Sequence, residues 1–352
     1  MEKEFEIIDG KCVIPNGRKE IRRGWGMDYF ELEGIEILVV ELPDTIERIG
    51  DHAFYDVQNL TSINLPEGLV SIGENAFHGC ENLKSIHIPA SVRHIGREAF
   101  SNCYELESIE IAEDNPVYSS ESNCCLTKDG KTLVFGCKSS VIPDSVSKIE
   151  ACAFEGCECL TGITVPGLVQ EIDNCSFKDC ISLRKVALPE SLLRIGESAF
   201  EHCSALKTIT LTSGIKEIGE YAFAGCVNLE LISIPDTIAS IEAWTFYDCT
   251  GLRFVDIPNS VVAIKHHAFK GCRSIQCMEI PESVKSIGSY AFAECGWAGE
   301  VDIPDTVQYV GQDVTSRYNY GEMEKVTEDT LTYIGDRPRK AKKNNEEDEL
   351  PF

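Results

Sequence analysis

A pattern of 23 residues repeats along most of this chain of 352 residues. Residues 63–85 read INLPEGLVSIGENAFHGCENLKS, residues 86–108 read IHIPASVRHIGREAFSNCYELES, and the two align without gaps. Residues 186–208 and 278–300 follow the same pattern, I-x-I-P-x-x-V-x-x-I-G-x-x-A-F-x-x-C-x-x-L-x-x. Such a period is typical of solenoid proteins, in which each repeat forms one coil and stacked coils bury a continuous core.

Three residue types mark the register independently. Phenylalanine holds one fixed position ten times, from Phe54 to Phe292. The prolines that share one position are Pro43, Pro66, Pro89, Pro143, Pro166, Pro189, Pro235, Pro258, Pro281 and Pro304, with Thr212 in the place of a missing one. Nine cysteines share another position: Cys80, Cys103, Cys157, Cys180, Cys203, Cys226, Cys249, Cys272 and Cys295.

Each position of the repeat predicts a local structure. Alternating apolar residues such as Ile86 and Ile88 suit a short strand with one buried face, and the proline after them ends the strand because it lacks an N–H. Ala99-Phe100 suits a tight helical turn. We therefore predict an α/β repeat solenoid of twelve coils, about 55 Å long, with strands on the concave side and short helical turns. The Ile-Gly step is predicted to be a turn that prefers glycine, because Glu150 and Lys265 also occupy it.

Departures from the period predict the domain organisation. Residues 1–38, with FEIIDGKCVIP at 5–15, are predicted to form a hairpin that caps the solenoid of residues 39–311. Pro89 and Pro143 are too far apart for two coils, and Asp129-Gly130 lies between apolar runs. A hairpin projecting from the solenoid is therefore predicted within an insertion of about 112–140. Residues 312–335 are predicted to close the solenoid, and the charged tail 336–352 to be disordered.

These residues resemble the BspA-like leucine-rich repeats over roughly residues 39–311. The I-P-x-S-V-x-x-I-G-x-x-A-F-x-x-C unit carries the resemblance, as does the interrupted coil with Asn115-Pro116 before a Lys-Asp-Gly hairpin. The resemblance implies a curved, right-handed leucine-rich-repeat superhelix with non-catalytic protein binding. Members of that family are often surface proteins of host-associated bacteria or parasitic protists, and some bind extracellular-matrix proteins.

The cysteines are predicted to be structural. Buried thiols behave as small apolar groups, so the nine at the repeat position are expected to form a ladder in the core. Eight others lie off the ladder, namely Cys12, Cys124, Cys125, Cys137, Cys152, Cys159, Cys175 and Cys277. Cys152 and Cys175 share one offset in adjacent coils, which leaves a disulfide or a zinc site open as alternatives. No C-x-x-C pair supports zinc, so we predict no metal and no cofactor.

The composition excludes several classes of function. A net charge of −26 argues against nucleic acid as a partner. No apolar run is long enough for a membrane helix, and no secretory signal is visible at the start of the chain. These features favour the cytoplasm, or the cell surface or secretion if an upstream signal was removed. No metalloprotease, nucleophile-elbow, phosphate-loop or dinucleotide motif occurs, so no enzyme activity is expected.

The outward positions of the concave strands are the predicted binding site. The central outward row is polar and poor in aromatic residues, with two exceptions beside it. Arg184-Lys185 forms a basic spot, and Leu231 and Phe254 place apolar groups on neighbouring strands. The predicted binding residues are Arg184, Lys185, Leu231, Arg253, Phe254 and Asp256. The sequence thus favours a protein-binding scaffold, with the inserted hairpin as a rival site. An adhesin of matrix proteins and a structural, self-associating repeat domain remain as alternatives.

Overall fold

The computed structural model describes residues 5–8, 10–25, 37–276, 278–296 and 302–315. These residues form a β-solenoid of about twelve turns, built on two parallel ladders of short strands. The predicted tail 336–352 and the predicted closing segment 312–335 beyond residue 315 lie outside the described residues, as does Cys277.

The primary ladder is formed by the strands that precede the repeat proline. Partners are one period apart, as in the pairing of Ser108 with Ser85 and of Ile109 with Ile86. Inward and outward side chains alternate, so Ile63 is buried between the exposed Ser62 and Asn64, as the sequence predicts. The strands, numbered in chain order, are β4 (Val39–Glu41), β6 (Ser62–Asn64), β8 (Ser85–Ile88), β10 (Ser108–Ile111), β15 (Gly162–Thr164), β17 (Lys185–Ala187), β20 (Leu231–Ser233) and β22 (Phe254–Asp256).

The secondary ladder is formed by two-residue strands that end at the apolar residue of the Ile-Gly step, which is Ile in all of them except the last, where it is Val310. The strands are β3 (Glu20–Ile21), β5 (Arg48–Ile49), β7 (Ser71–Ile72), β9 (His94–Ile95), β14 (Lys148–Ile149), β16 (Glu171–Ile172), β18 (Arg194–Ile195), β19 (Glu217–Ile218), β21 (Ser240–Ile241), β23 (Ala263–Ile264), β24 (Ser286–Ile287) and β25 (Tyr309–Val310). They pair in parallel, as Ile49 does with Ile72.

Glycine follows these strands at the start of a turn, which Ala99 N closes on Gly96 O (3.3 Å). A Cβ on Gly96 would lie 2.4 Å from the backbone nitrogen of Glu74 in the preceding coil. Gly96 is not among the residues with positive φ. The predicted turn that prefers glycine is therefore present, and the close approach of two coils accounts for the preference.

The Ala-Phe segment is not helical. Phe54 N donates to Ala76 O of the next coil (2.7 Å), and Asp56 N donates to His78 O (2.8 Å). The intervening N–H groups close turns within the coil, as Tyr55 N does on His52 O (3.3 Å). Across residues 37–276 the elements are strands and turns without a helix, so the predicted helical turns and the α/β class are wrong. Every second N–H of this turn bonds to the next coil, which leaves no run of donors for a helix.

The core consists of stacked columns of identical residues. Phe54 and Phe77 stack with ring centroids 5.2 Å apart, and the column continues from Phe154 to Phe292. Beside it runs the predicted cysteine ladder, in which Cys226 Sγ donates to Phe200 O (3.2 Å). Burial raises the pKa of Cys226 to about 12. The thiol thus fills the core and also satisfies a backbone carbonyl.

The insertion contains an antiparallel hairpin, but the hairpin does not project. Its strands are β12 (Cys124–Thr127) and β13 (Thr132–Phe135), and β11 (Tyr118–Glu121) pairs with β12. Strand β13 then pairs in parallel with β14, and the Phe135 ring lies 4.7 Å from that of Phe100. Cys124, Cys125, Leu126, Leu133 and Phe135 are buried. The prediction of a projecting hairpin is wrong because its apolar residues continue the core between two regular coils.

At the other end, β1 (Glu6–Ile8) and β2 (Lys11–Val13) pair antiparallel. Strand β2 also pairs in parallel with β4, so this pair extends the primary ladder by two strands.

We expect a thiol reagent to modify Cys159 first in the folded protein. All sixteen cysteines within the described ranges are free, and of these Cys159 is exposed while Cys175 and Cys295 are half-buried. The buried ladder thiols should react only after unfolding, since the thiolate is the reactive form and burial disfavours it. Thiol titration with and without denaturant measures this, and Cys159→Ser should remove one thiol from the fast phase. A fast phase that includes the ladder cysteines would contradict their place in the core.

Candidate functional site

The predicted binding residues lie on the outward face of the primary ladder. Leu231 and Phe254 are direct partners on β20 and β22, and Ser233 and Asp256 are the next outward pair. Outward residues of neighbouring parallel strands lie roughly 4.8 Å apart, so the two apolar side chains are adjacent. Leu231 is 48% exposed and Phe254 is 68% exposed.

Polar groups border this apolar pair. Arg253 precedes Phe254 and is exposed, and its backbone nitrogen bonds to Glu230 O (2.9 Å). Asp256 Oδ2 accepts a hydrogen bond from Ser233 Oγ (3.1 Å), which ties the two strands together on the solvent side. Glu230 also lies 3.9 Å from Lys207 Nζ of the preceding coil. We call Leu231, Arg253, Phe254 and Asp256 the ladder patch.

The basic spot is exposed but separate from the ladder patch. Lys185 belongs to β17 and shares its repeat position with Leu231 and Phe254, with Thr208 between Lys185 and Leu231. Two coil spacings put Lys185 roughly 10 Å from Leu231. Arg184, just before the strand, is exposed as well. The structure therefore arranges Lys185, Leu231 and Phe254 in one row without contact between Lys185 and the apolar pair.

A row of aromatic residues lies along the turns. The sequence did not indicate a site for them. Tyr221, Trp244, His267 and Tyr290 stack on one another, with 3.8 Å between the ring centroids of Trp244 and His267. Trp244 and His267 are each stacked between two neighbours, so their ring faces are not available to a ligand. Burial lowers the pKa of His267 to about 4, so its ring is neutral at physiological pH.

A second cluster of side chains lies where the insertion interrupts the coils. Cys152 Sγ donates to Glu98 Oε1 (3.4 Å), although the two residues are 54 positions apart in the sequence. Cys175 occupies the repeat position of Cys152 in the next coil, and the nearby Cys152 thiol lowers the pKa of the Cys175 thiol. Burial raises the pKa of nearby Glu155 to about 7. Sequence reasoning identified the two cysteines as neighbours but missed both glutamates, because nothing local brings Glu98 to Cys152.

Within the described residues, no helix has the length and apolarity that crossing a membrane requires. No protein with a curated function matches the chain.

The chain is similar to solved leucine-rich-repeat structures. One from Eubacterium ventriosum is 23% identical, with a TM-score of 0.63, and the match covers 83% of this chain and 92% of that one. The pneumococcal vaccine antigen PcpA is 22% identical, with a TM-score of 0.55 over 76% of this chain and 68% of that one. A leucine-rich repeat protein from Bacteroides ovatus is 22% identical, with a TM-score of 0.53 over 89% and 90% of the two chains. These likenesses show the fold.

The family model described as "BspA type Leucine rich repeat region (6 copies)" matches residues 27–136, 134–253 and 216–338. These segments include the register of Pro, Phe and Cys from which the two ladders and the core columns are built. The chain therefore belongs to the BspA type leucine-rich-repeat family.

Proposed function

We propose that this protein is a non-catalytic scaffold that binds another protein through the ladder patch. The observation that carries the proposal is the pair of exposed apolar side chains, Leu231 and Phe254, on neighbouring strands. Interface anchors are enriched in aromatic residues and Arg, and Arg253 borders the pair. An exposed Phe on a rigid strand also loses little conformational entropy when it is covered.

The chemistry of the face favours a protein partner. The outward rows of short strands form an extended surface that suits a macromolecule, whereas a small molecule prefers an enclosed pocket. The net charge of −26 opposes nucleic acid. We therefore propose a partner surface with an apolar group to cover Leu231 and Phe254 and an acidic group to meet Arg253.

We propose that the protein works in a reducing compartment, with the cytoplasm as the first candidate and the cell surface as the alternative. Free, buried ladder thiols are compatible with a cytoplasmic protein. Titration in denaturant of protein taken from its host should then find all seventeen thiols free, and fractionation of the host cells gives the location directly. Recovery of the protein on intact cell surfaces, with matrix proteins as partners, would favour the adhesin alternative.

The double variant Arg253→Glu, Phe254→Asp is expected to weaken partner binding at least 100-fold, because it puts two negative charges where an apolar anchor and a cation stood. The partner is first recovered by affinity purification from the native host, and its affinity for each variant is then measured. Melting curves should not change, because both side chains are exposed.

Val141→Asp is the matched control. Val141 is 68% exposed, the same as Phe254, but it follows the inserted hairpin. Binding that survives Arg253→Glu, Phe254→Asp and is lost in Val141→Asp would move the site to the insertion. If no partner is recovered and light scattering shows self-assembly, the protein is a structural, self-associating domain and the proposal is wrong.

A further inference from the structure

At one repeat position in the turn region, the residue types change where the insertion interrupts the coils. Glu98, Cys152 and Cys175 occupy the same repeat position in successive regular coils, and all three have positive φ. Asn75 stands before them in this column and Ser198 after them. A carboxylate and two thiols, each able to bind a metal ion, are therefore consecutive along the solenoid at this point.

The insertion opens a cleft beside this column. In regular coils the Phe N–H bonds to the Ala carbonyl of the next coil, as Phe54 N does to Ala76 O. At the interruption the donor to Ala153 O is not a Phe N–H but Gly136 N, which belongs to the insertion (2.8 Å). The coils before and after the insertion bond directly to each other again at Asn102 N and Glu155 O (3.2 Å). The cleft has a volume of about 250 Å³ and is lined by Glu98, Cys152 and Glu155 among others.

The ligand atoms in the cleft are close together and incompletely satisfied. One atom each from Glu98, Cys152 and Glu155 lie within 4.8 Å of one another. Cys175 shares the repeat position of Cys152 in the next coil, roughly 4.8 Å along the solenoid, and adds a second sulfur beside these three ligands. Glu155 Oε2 is buried and has no hydrogen-bond partner among the residues that the structure describes. Lys178, whose charge acts on Glu155, has its Nζ 3.2 Å from Glu201. A buried carboxylate oxygen without a partner is costly, and a cation is the group that satisfies it best.

We propose that Glu98, Cys152, Glu155 and Cys175 form a binding site for a zinc-like divalent ion, which would link the coils on the two sides of the interruption. A tetrahedral zinc ion with Zn–S of about 2.3 Å and Zn–O of about 2.0–2.2 Å separates its ligand atoms by roughly 3.4–3.8 Å. Binding therefore requires the two Glu side chains and Cys175 to rotate towards the ion. Binding releases the thiol protons to solvent and changes no oxidation state.

The donor set distinguishes this ion from others. Calcium and magnesium prefer an all-oxygen shell, whereas two thiolates favour a softer ion such as zinc. The ladder cysteines do not compete, because Cys180 Sγ donates to Phe154 O (3.1 Å) within the core and is fully buried.

The test measures metal binding to the full chain, reduced with a phosphine and stripped by a chelator. Zn²⁺ is titrated against a chromogenic chelator, and Co²⁺ reports thiolate ligands by its charge-transfer absorption. We expect one equivalent to bind, with affinity reduced at least 100-fold in Cys152→Ser and Cys175→Ser and about 10-fold in Glu155→Gln. Serine is compatible with the backbone here because Ser198 occupies the same repeat position with positive φ.

Cys159→Ser is the matched control, since this exposed thiol belongs to the same coil and lies outside the cluster. It should bind zinc as the unaltered chain does. The proposal is wrong if the reduced chain binds no Zn²⁺, or if Cys152→Ser and Cys159→Ser bind it equally. Protein taken from its host with two fewer free thiols than the seventeen of the sequence, and with Cys152 joined to Cys175, would also overturn it. The pair would then be a disulfide.

Discussion

Phe200→Ala is expected to lower the free energy of unfolding by about 3–5 kcal/mol, the usual cost of truncating a buried phenylalanine. Phe200 is fully buried, and its ring stacks on Phe177 at 5.3 Å and on Phe223 at 5.5 Å. In a solenoid each coil is stabilised by its neighbours, so the loss of one ring weakens two interfaces at once. The cavity cannot close easily, because the hydrogen bonds of both ladders hold the coil spacing.

Urea denaturation followed by circular dichroism measures this effect, with Phe254→Ala as the matched control. Phe254 is exposed, so its truncation should change stability by no more than about 0.5 kcal/mol. A coil in the middle of the stack separates two halves, so Phe200→Ala is also expected to broaden the transition. A loss below about 1 kcal/mol would mean that the phenylalanine column contributes little to the core.

Most of the fold could be predicted because each position of the repeat occurs many times in the sequence. One proline that ends a strand is weak evidence, but prolines such as Pro66 and Pro89, one period apart, fix where the primary ladder ends. The same repetition identified the phenylalanine column and the cysteine ladder. Burial, strand direction and register all follow from that period, since coils one repeat apart must lie side by side.

The turn after the Ile-Gly step could not be predicted from the pattern. Ala99-Phe100 has the spacing of a helical turn, and sequence does not show whether an N–H bonds within its coil or to the next one. In the structure every second N–H bonds to the next coil, and the cost is a left-handed residue two positions before the Phe, such as Glu98 or Trp244. Such residues cost roughly 1 kcal/mol or more each, and the bonds between coils hold them in place.

The two candidate sites also differ in how far the sequence predicts them. The exposure of Leu231 and Phe254 follows from strand alternation, so their place on the ladder patch was predictable. The cluster of Glu98, Cys152 and Glu155 was not, because an insertion separates Glu98 from the other two. Only the stacking of the coils around the insertion brings them together, and no local pattern reports it.

Asn115→Ala is expected to lower the free energy of unfolding by about 3–5 kcal/mol, because it removes four hydrogen bonds in a buried place. The Asn115 side chain is fully buried. Its Nδ2 donates to Pro89 O (2.9 Å) and Val92 O (3.1 Å). Its Oδ1 accepts from the N–H groups of Val117 and Tyr118, both at 2.9 Å. The residue thus joins the last regular coil to the start of the insertion.

Asn228→Ala is the control for this change, since Asn228 is exposed and donates only to Ser204 O (2.7 Å) of the neighbouring coil. It should cost less than about 1 kcal/mol. Hydrogen exchange adds a spatial readout, because the Asn115 variant should lose protection first in β11 to β13. If the inserted strands were an appendage, their loosening would leave the coils on either side protected. Since β13 pairs with β14 and Phe135 stacks on Phe100, we expect protection to fall in those coils as well. Unchanged protection there would mean that the insertion is not part of the continuous core.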